Sequence, residues 1–463
     1  MTLATKRASR RAGTPGTRTA RDRAYEILRR VEESGAYAAP LLDSHEAKID
    51  DPREAALLHE MVLGVLRWQA ALDHAAGKVA SRSPEAMDPA VRRVLRIGAY
   101  ALLFLDRVPD FAAVDSAVDL IRRVAPPSRA AFVNGVLRSL ARSGRDLMPP
   151  EPTPGDVESL ALAHSHPPWW VRRRVEVAGW DATMELLRAN NRAAPTVLRT
   201  NLERTTPAEL QARFRAEGVS TEGCALVREA LRVVSGPFRH TRTFREGYAW
   251  AQDEASQLVP TLFGPVLRPR VADLCAAPGI KTLQLREALP MGGTIVATDR
   301  HSGRLRRLLA NLERVGATEV LPLAADMAGG RTPIGGTFDH VLVDAPCSGT
   351  GTFRRHPEIR WRLGPNDLES LSARQLRILE TAETLLGPGG SLLYAVCSME
   401  PEEGEGTVTR FLERHADFDV VDAADRVPRA ARSRVGGDGA LRTDPADRMD
   451  GFFAILLRRR IRE

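Results

Sequence analysis

Two cysteines in this chain stand where a thiol can do chemistry. Cys347 lies in Asp344-Ala345-Pro346-Cys347-Ser348-Gly349, directly after an apolar run that reads as a strand. Cys397 lies in Tyr394-Ala395-Val396-Cys397-Ser398, directly after the next such run. A thiol at a strand end or a helix N-terminus can be drawn toward thiolate, the nucleophilic form. Asp344 shares the first loop, where a carboxyl group can stabilise charge that develops on a substrate during addition. The pattern points to covalent catalysis by one of these thiols, and spacing alone leaves Cys347 and Cys397 equal candidates. The other two cysteines, Cys224 and Cys275, read as small buried hydrophobes. No CxxC pair and no Cys/His cluster with zinc spacing occurs, so neither a disulfide framework nor a metal is expected. A reduced, cytoplasmic setting fits such cysteine usage.

A second constellation is a row of acids at strand ends. The turn Asp273-Leu274-Cys275-Ala276-Ala277-Pro278-Gly279-Ile280-Lys281-Thr282 follows one apolar run. Its small residues let the backbone approach a ligand, and the helix N-terminus after it attracts an anionic group such as a carboxylate. It is not GxGxxG, which argues against a nicotinamide or flavin dinucleotide. The next strand is predicted to end at Asp299, where an acid typically accepts hydrogen bonds from two ribose hydroxyls. The third is predicted to end at Asp326, placed for an adenine amino group. Three acids in step on successive strands describe a nucleoside-type site.

These residues need a scaffold of alternating strands and helices. Short apolar runs bounded by turn residues do alternate with helical patterns from about residue 270: RVADLCAAPG, TIVATDR, EVLPLAADM, FDHVLVDAPCSG and GSLLYAVCS. That is the signature of a mostly parallel, doubly wound α/β sheet, with GFFAILLRR as a closing strand. Upstream the periodicity is helical, through residues 53–80, 89–106, 111–124 and 128–143. The expected organisation is a multidomain chain. A basic arm (1–20) precedes an all-α domain (21–145) and a Pro/Gly-rich linker (146–160). A small α/β domain (161–260) and a Rossmann-like domain (261–463) follow.

Composition sets outer bounds. The 463 residues are 43% hydrophobic and 27% charged, which describes a soluble globular chain rather than a disordered one. No stretch approaches the ~18 uninterrupted apolar residues that would span a membrane. The basic N-terminus lacks the apolar segment of a secretory signal. A net charge of +7 is compatible with a polyanionic partner. The basic residues are almost all arginine, with lysine only at Lys6, Lys48, Lys78 and Lys281. Where lysine persists in so Arg-rich a chain, a compact ammonium has a reason to be there.

Four segments, DLCAAPGIKT, DAPCSGTGTFRRHPEIRW, YAVCSMEPEEGE and DGFF, together resemble the RNA cytosine-5 methyltransferases of the Nol1/Nop2/Sun group. The likeness runs over roughly residues 160–460, and the helical N-terminus is similar to a NusB-type RNA-binding domain. The arrangement resembles the Sun or RsmB subgroup, which acts on bacterial small-subunit (16S) ribosomal RNA. The resemblance implies S-adenosyl-L-methionine (AdoMet) as cofactor, with Cys275, Ala276, Ala277, Pro278, Gly279, Ile280 and Lys281 cradling it. It implies that Asp299 holds the ribose, that Asp326 lies near the adenine, and that Asp344 lies between methionine and cytosine. It makes Cys397 the residue that forms the covalent adduct with carbon 6 of cytosine, and Cys347 the one that assists its breakdown. Gln252, Asp253 and Ser256 line the pocket in this reading, with helix capping an equal alternative.

Two departures from the family pattern stand out. Ile280 replaces a glycine, so either that position has ordinary dihedrals or the loop is shifted. Gly404 replaces an asparagine in Glu402-Glu403-Gly404-Glu405. Arg354, Arg355, His356 and Arg360 follow the Asp344–Gly349 loop and are expected to contact RNA phosphates. The partner is RNA, and the protein is expected to work as a monomer away from membranes. Rival readings are the same chemistry on transfer RNA and, from another class, a non-catalytic RNA-binding assembly factor on a methyltransferase scaffold. Intact Cys397, Cys347 and Asp344 speak against the second. DNA cytosine methyltransferases resemble Pro-Cys-Gln with a separate Glu-Asn-Val, and neither stands here.

Overall fold

A computed structural model describes residues 18–265, 268–330 and 332–461. Most of the expected N-terminal arm, residues 1–17, lies outside the described residues. The chain forms two compact units, one running to Arg172 and including His356–Glu358, the other comprising Arg173–Arg355 and Ile359 onward.

The first unit is helical: Ala20–Ser34, Ala38–Glu46, Pro52–Arg67, Gln69–Ala80, Pro89–Phe104, Asp110–Val124 and Arg129–Ser143. Their starts are written locally. Thr19 and Asp22 form a capping box at the first, and Asp51-Pro52 and Asp88-Pro89 place an acceptor at the cap with proline in the first turn. The apolar stripes close on one core that includes Ile27, Leu58, Met61, Leu72, Val94, Ile97 and Leu137. The periodicity over 53–80 belongs to two helices, broken at Trp68, where φ is −103° and ψ 16°. Trp170 is fully buried and stacks on His166.

The second unit carries two sheets. The smaller has four strands, β1 (Val197–Thr200), β2 (Ser220–Gly223), β3 (Ala230–Ser235) and β4 (Ala249–Ala251), all antiparallel in the order β2-β3-β1-β4. The larger is built from β5 (Arg270–Asp273), β6 (Thr294–Asp299), β7 (Val320–Ala324), β8 (Phe338–Asp344), β9 (Leu386–Val396), β10 (Phe418–Val421), β11 (Leu441–Thr443) and β12 (Phe452–Arg459). Its order is β10-β12-β9-β8-β5-β6-β7, with β11 paired to β12. Strands β5 to β9 run parallel, while β12, the expected closing strand, is antiparallel to β9. Strands β8 and β9 are central and buried on both faces, which is why they read as unbroken apolar runs.

Candidate active site

From β5 the chain steps outward to β6 and β7, then returns to the other side of β5 with β8. That reversal opens a crevice at the carboxyl ends of β5 and β8, the usual ligand position in an open parallel sheet. The loop after β5 forms one wall. Gly279 has φ +96°, and a Cβ there would lie 2.2 Å from Leu308 Cδ1, so this turn requires glycine. Ile280 opens the helix Ile280–Glu287 and is absent from the positive-φ positions, so its substitution leaves ordinary dihedrals. The Pro278 carbonyl accepts from Asn311 Nδ2 at 2.9 Å.

Asp273, Asp299 and Asp344 gather around Cys275. Asp273 is 1% exposed; its Oδ2 accepts from the Thr282 hydroxyl at 2.7 Å, while Oδ1 has no hydrogen-bond partner among the described residues. Burial pushes its pKa up to about 7. Asp299 ends β6 and accepts from the His301 backbone N–H. Asp344 ends β8 and pairs with Lys281 Nζ at 2.7 Å, and that ammonium lies 4.9 Å from the centre of the Phe452 ring. Asp326 falls two residues beyond the end of β7, is half exposed and pairs with Arg374 at 3.0 Å. The Cys275 thiol is driven well up, first by burial and then by Asp273, Asp344 and Asp299, and the Cys224 thiol to about 12, chiefly by burial. Both are held as thiols.

The two thiols singled out by sequence meet. Asp344 pairs with Ala395 across the β8–β9 ladder, so both loops leave the sheet in step. Cys347 Sγ and Cys397 Sγ lie 3.3 Å apart, and the Cys397 carbonyl accepts from the Gly351 N–H at 3.1 Å. The Cys347 thiol is pushed well above its ordinary value, first by its hydrogen bond with Cys397 and then by burial. Two thiols in contact resist joint ionisation.

The chain matches the family profile "16S rRNA methyltransferase RsmB/F" over residues 261–458. It matches a NusB profile over 18–142 and an RsmF/B-type ferredoxin-like profile over 166–237. It is 33% identical over 445 residues to a probable ribosomal RNA small subunit methyltransferase B of Bacillus subtilis strain 168, covering 95% of this chain and 98% of the relative. It is 33% identical over 409 residues to ribosomal RNA small subunit methyltransferase B of Erwinia tasmaniensis, covering 87% and 92%. The crystal structure of PH0851 superposes with a TM-score of 0.78 at 27% identity, covering 95% of this chain and 97% of that one. The chain belongs to the RsmB/F family of 16S rRNA methyltransferases.

An RsmB/F methyltransferase takes its methyl group from AdoMet. The crevice fits that molecule. A buried carboxylate oxygen without a partner, among converging acids, suits a ligand carrying a sulfonium and an ammonium, and the glycine turn admits its close approach. Asp253 caps the helix Glu254–Thr261, as the capping alternative had it. Gln252 accepts from Trp250 Nε1 and donates to Gln284 Oε1.

The basic cluster after Gly349 stands elsewhere than on an open face. Arg354 is 3% exposed and pairs with Asp450 and Asp253; Arg355 pairs with the same two acids at 2.9 and 2.8 Å. Arg360 is fully buried and donates to Asn191 Oδ1 and to the carbonyls of Asn190 and Phe353. His356 is partly buried and belongs to the first unit. A phosphate contact by Arg354, Arg355 or Arg360 would have to break these internal bonds, so they carry no part of the function proposed below. Arg354 and Arg355 bind the DGFF segment instead, through Asp450. Gly351 and Gly451 approach so closely that the Gly451 N–H donates to the Gly351 carbonyl at 2.8 Å, and a Cβ on Gly351 would strike Gly451 O at 2.1 Å. Sequence reading also passed over Phe452, Gln375, Tyr394 and Glu403, which surround the two cysteine loops.

Proposed function

We propose that this RsmB/F methyltransferase methylates carbon 5 of a cytosine in 16S ribosomal RNA through a covalent bond between Cys397 Sγ and carbon 6 of the base. The carrying observation is the 3.3 Å approach of two thiols at the ends of adjacent parallel strands, one of them held protonated. Carbon 5 of cytosine is a poor nucleophile until a thiolate adds to carbon 6 and makes it enamine-like. Cys397 is taken as the attacking thiol because that is the role the family pattern gives to this position, and the raised Cys347 thiol beside it suits a helper. Asp344, anchored by Lys281, takes the place beside the ring's N3 and amino edge, where it stabilises charge formed during addition. AdoMet supplies the electrophilic methyl group that carbon 5 then attacks.

The adduct must next lose the carbon-5 proton so that the Sγ–carbon 6 bond breaks and Cys397 leaves as thiolate. Cys347 suits that task for a physical reason. The largest influence holding its pKa up is the ionisable Cys397 neighbour, and that influence disappears once Cys397 Sγ is bonded to carbon. Cys347 can then lose its own proton to solvent and, as thiolate, take the one from carbon 5, while the electron pair of the carbon 5–hydrogen bond forms the double bond that expels Cys397.

The test is methylation of 16S and transfer RNA with labelled AdoMet, with mapping of the modified position. We expect label on carbon 5 of a cytosine in 16S RNA. The Cys397→Ala protein should lose methyl transfer and covalent capture of RNA containing 5-fluorocytosine. Normal turnover by that variant, or label confined to transfer RNA, would overturn the reading.

A further inference from the structure

Beneath the two cysteine loops lies a carboxylate that the chemistry above does not use. Glu403 is fully buried. Its Oε1 accepts the Ser348 backbone N–H at 2.9 Å and Gln375 Nε2 at 2.9 Å. Its Oε2 accepts the Ser398 hydroxyl at 2.5 Å and the Ser348 hydroxyl. Ser348 directly follows Cys347 and Ser398 directly follows Cys397, so one side chain grips both loops one residue beyond each thiol. Glu403 is itself fixed from below. Tyr394 donates its hydroxyl to the Glu403 carbonyl at 2.5 Å, and Gln375 also donates to the Pro346 carbonyl at 3.0 Å.

A buried carboxylate is costly to keep unless donors satisfy it, and four neutral donors converge on this one. Burial raises its pKa. A fold selected for packing alone would do better with an apolar side chain here. What the carboxylate adds is geometry: both serine hydroxyl protons point to a single oxygen, which fixes the Ser348 and Ser398 hydroxyls 3.1 Å apart.

We propose that Glu403 is the positioning residue that holds the Cys347 and Cys397 loops at their working separation. This rests on the reading of Cys397 as nucleophile and Cys347 as its helper. Glutamine at position 403 keeps the size and one acceptor, but it aims an amide N–H₂ at hydroxyls that formerly donated. Those hydroxyls can rotate to accept, so the fold is retained while the common anchor is lost. The charge acts as well, since the Glu403 carboxylate is among the influences that hold Cys347 protonated.

The experiment uses the full chain carrying Glu403→Gln. A displacement of reacting groups by about 1 Å costs on the order of 100-fold. We therefore expect kcat for methyl transfer to fall by roughly that factor, with KM for RNA and affinity for AdoMet within about threefold of wild type. Ser348→Ala and Ser398→Ala should each give a smaller loss, and combining either with Glu403→Gln should add little, because all act through one contact. If Glu403→Gln does not fold, the Ser348→Ala/Ser398→Ala pair carries the same test. A readout independent of turnover is alkylation of Cys347 by iodoacetamide in a Cys397→Ser background, followed by mass spectrometry. Adding Glu403→Gln should shift its pH profile to lower pH. An unchanged profile together with wild-type kcat overturns the clamp. Turnover by Cys397→Ala overturns the underlying reading instead, so the two failures are separable.

Discussion

At the scale of single residues, the division of labour between two identical side chains comes from their surroundings. Cys347 and Cys397 sit just past the ends of adjacent strands, and each is followed by a serine bound to Glu403. The Cys347 thiol is pushed up by its hydrogen bond with Cys397 and by burial. Cys347→Ala should therefore leave attack intact and cripple release. We expect turnover to fall by about 100-fold or more, the usual scale for loss of a proton-transfer group. A slow-migrating protein–RNA adduct should accumulate on a denaturing gel. No such band in reactions where methyl transfer is also absent would count against a role in release.

At the scale of elements, the cofactor cradle depends on a turn that tolerates one residue type. Gly279 combines φ +96° with a Leu308 methyl where a Cβ would stand. Gly279→Ala must therefore strain the backbone, at about 1–3 kcal/mol for a residue held in so sparsely populated a region, and also displace the Leu308 methyl. Asp273 and Lys281 flank this turn, so the damage should fall on AdoMet binding. Calorimetric titration should show affinity for AdoMet weakened by roughly tenfold or more for that strain. Unchanged affinity would mean the loop relaxes at no cost. A similar economy explains the buried arginines: Arg354 and Arg355 tie the segment after Cys347 to the start of β12 through Asp450.

At the scale of the whole molecule, two buried acids set a pH dependence. Asp273 is raised to about 7 and Asp253 to about 6, each chiefly by burial. An unfolded aspartate titrates near 3.9. The folded state thus binds these protons more tightly than the unfolded state does. The stabilisation they contribute is complete below about pH 4 and is lost as pH rises through 6 and 7. Asp273→Asn should remove the upper part of that loss. Its melting temperature, measured without AdoMet at pH 5 and pH 8, should differ less between the two conditions than that of the wild type. An equal difference in both proteins would show that Asp273 is not the titrating group.

What was legible in the sequence is what short range determines. Strand type, the acids that end strands and the cysteines just past them depend on alternation and turn chemistry within about ten residues. So DLCAAPG, Asp299, Asp344, Cys347 and Cys397 could all be placed before any coordinates. Asp326, beyond a fraying strand end, could be placed only to within two residues. Solvent exposure and pairing are not local. Arg355 reads as a phosphate contact, yet its carboxylate partners come from Asp253 and Asp450, 102 and 95 residues away. Glu403 stands in the sequence only as a neighbour of Gly404, and only the fold brings Ser348 to it from 55 residues off. The sequence by itself determined which groups could do chemistry and at which end of the sheet. Tertiary structure alone decided that the two thiols touch and which side chains surround them, because those depend on distances between loops that the β8–β9 register sets.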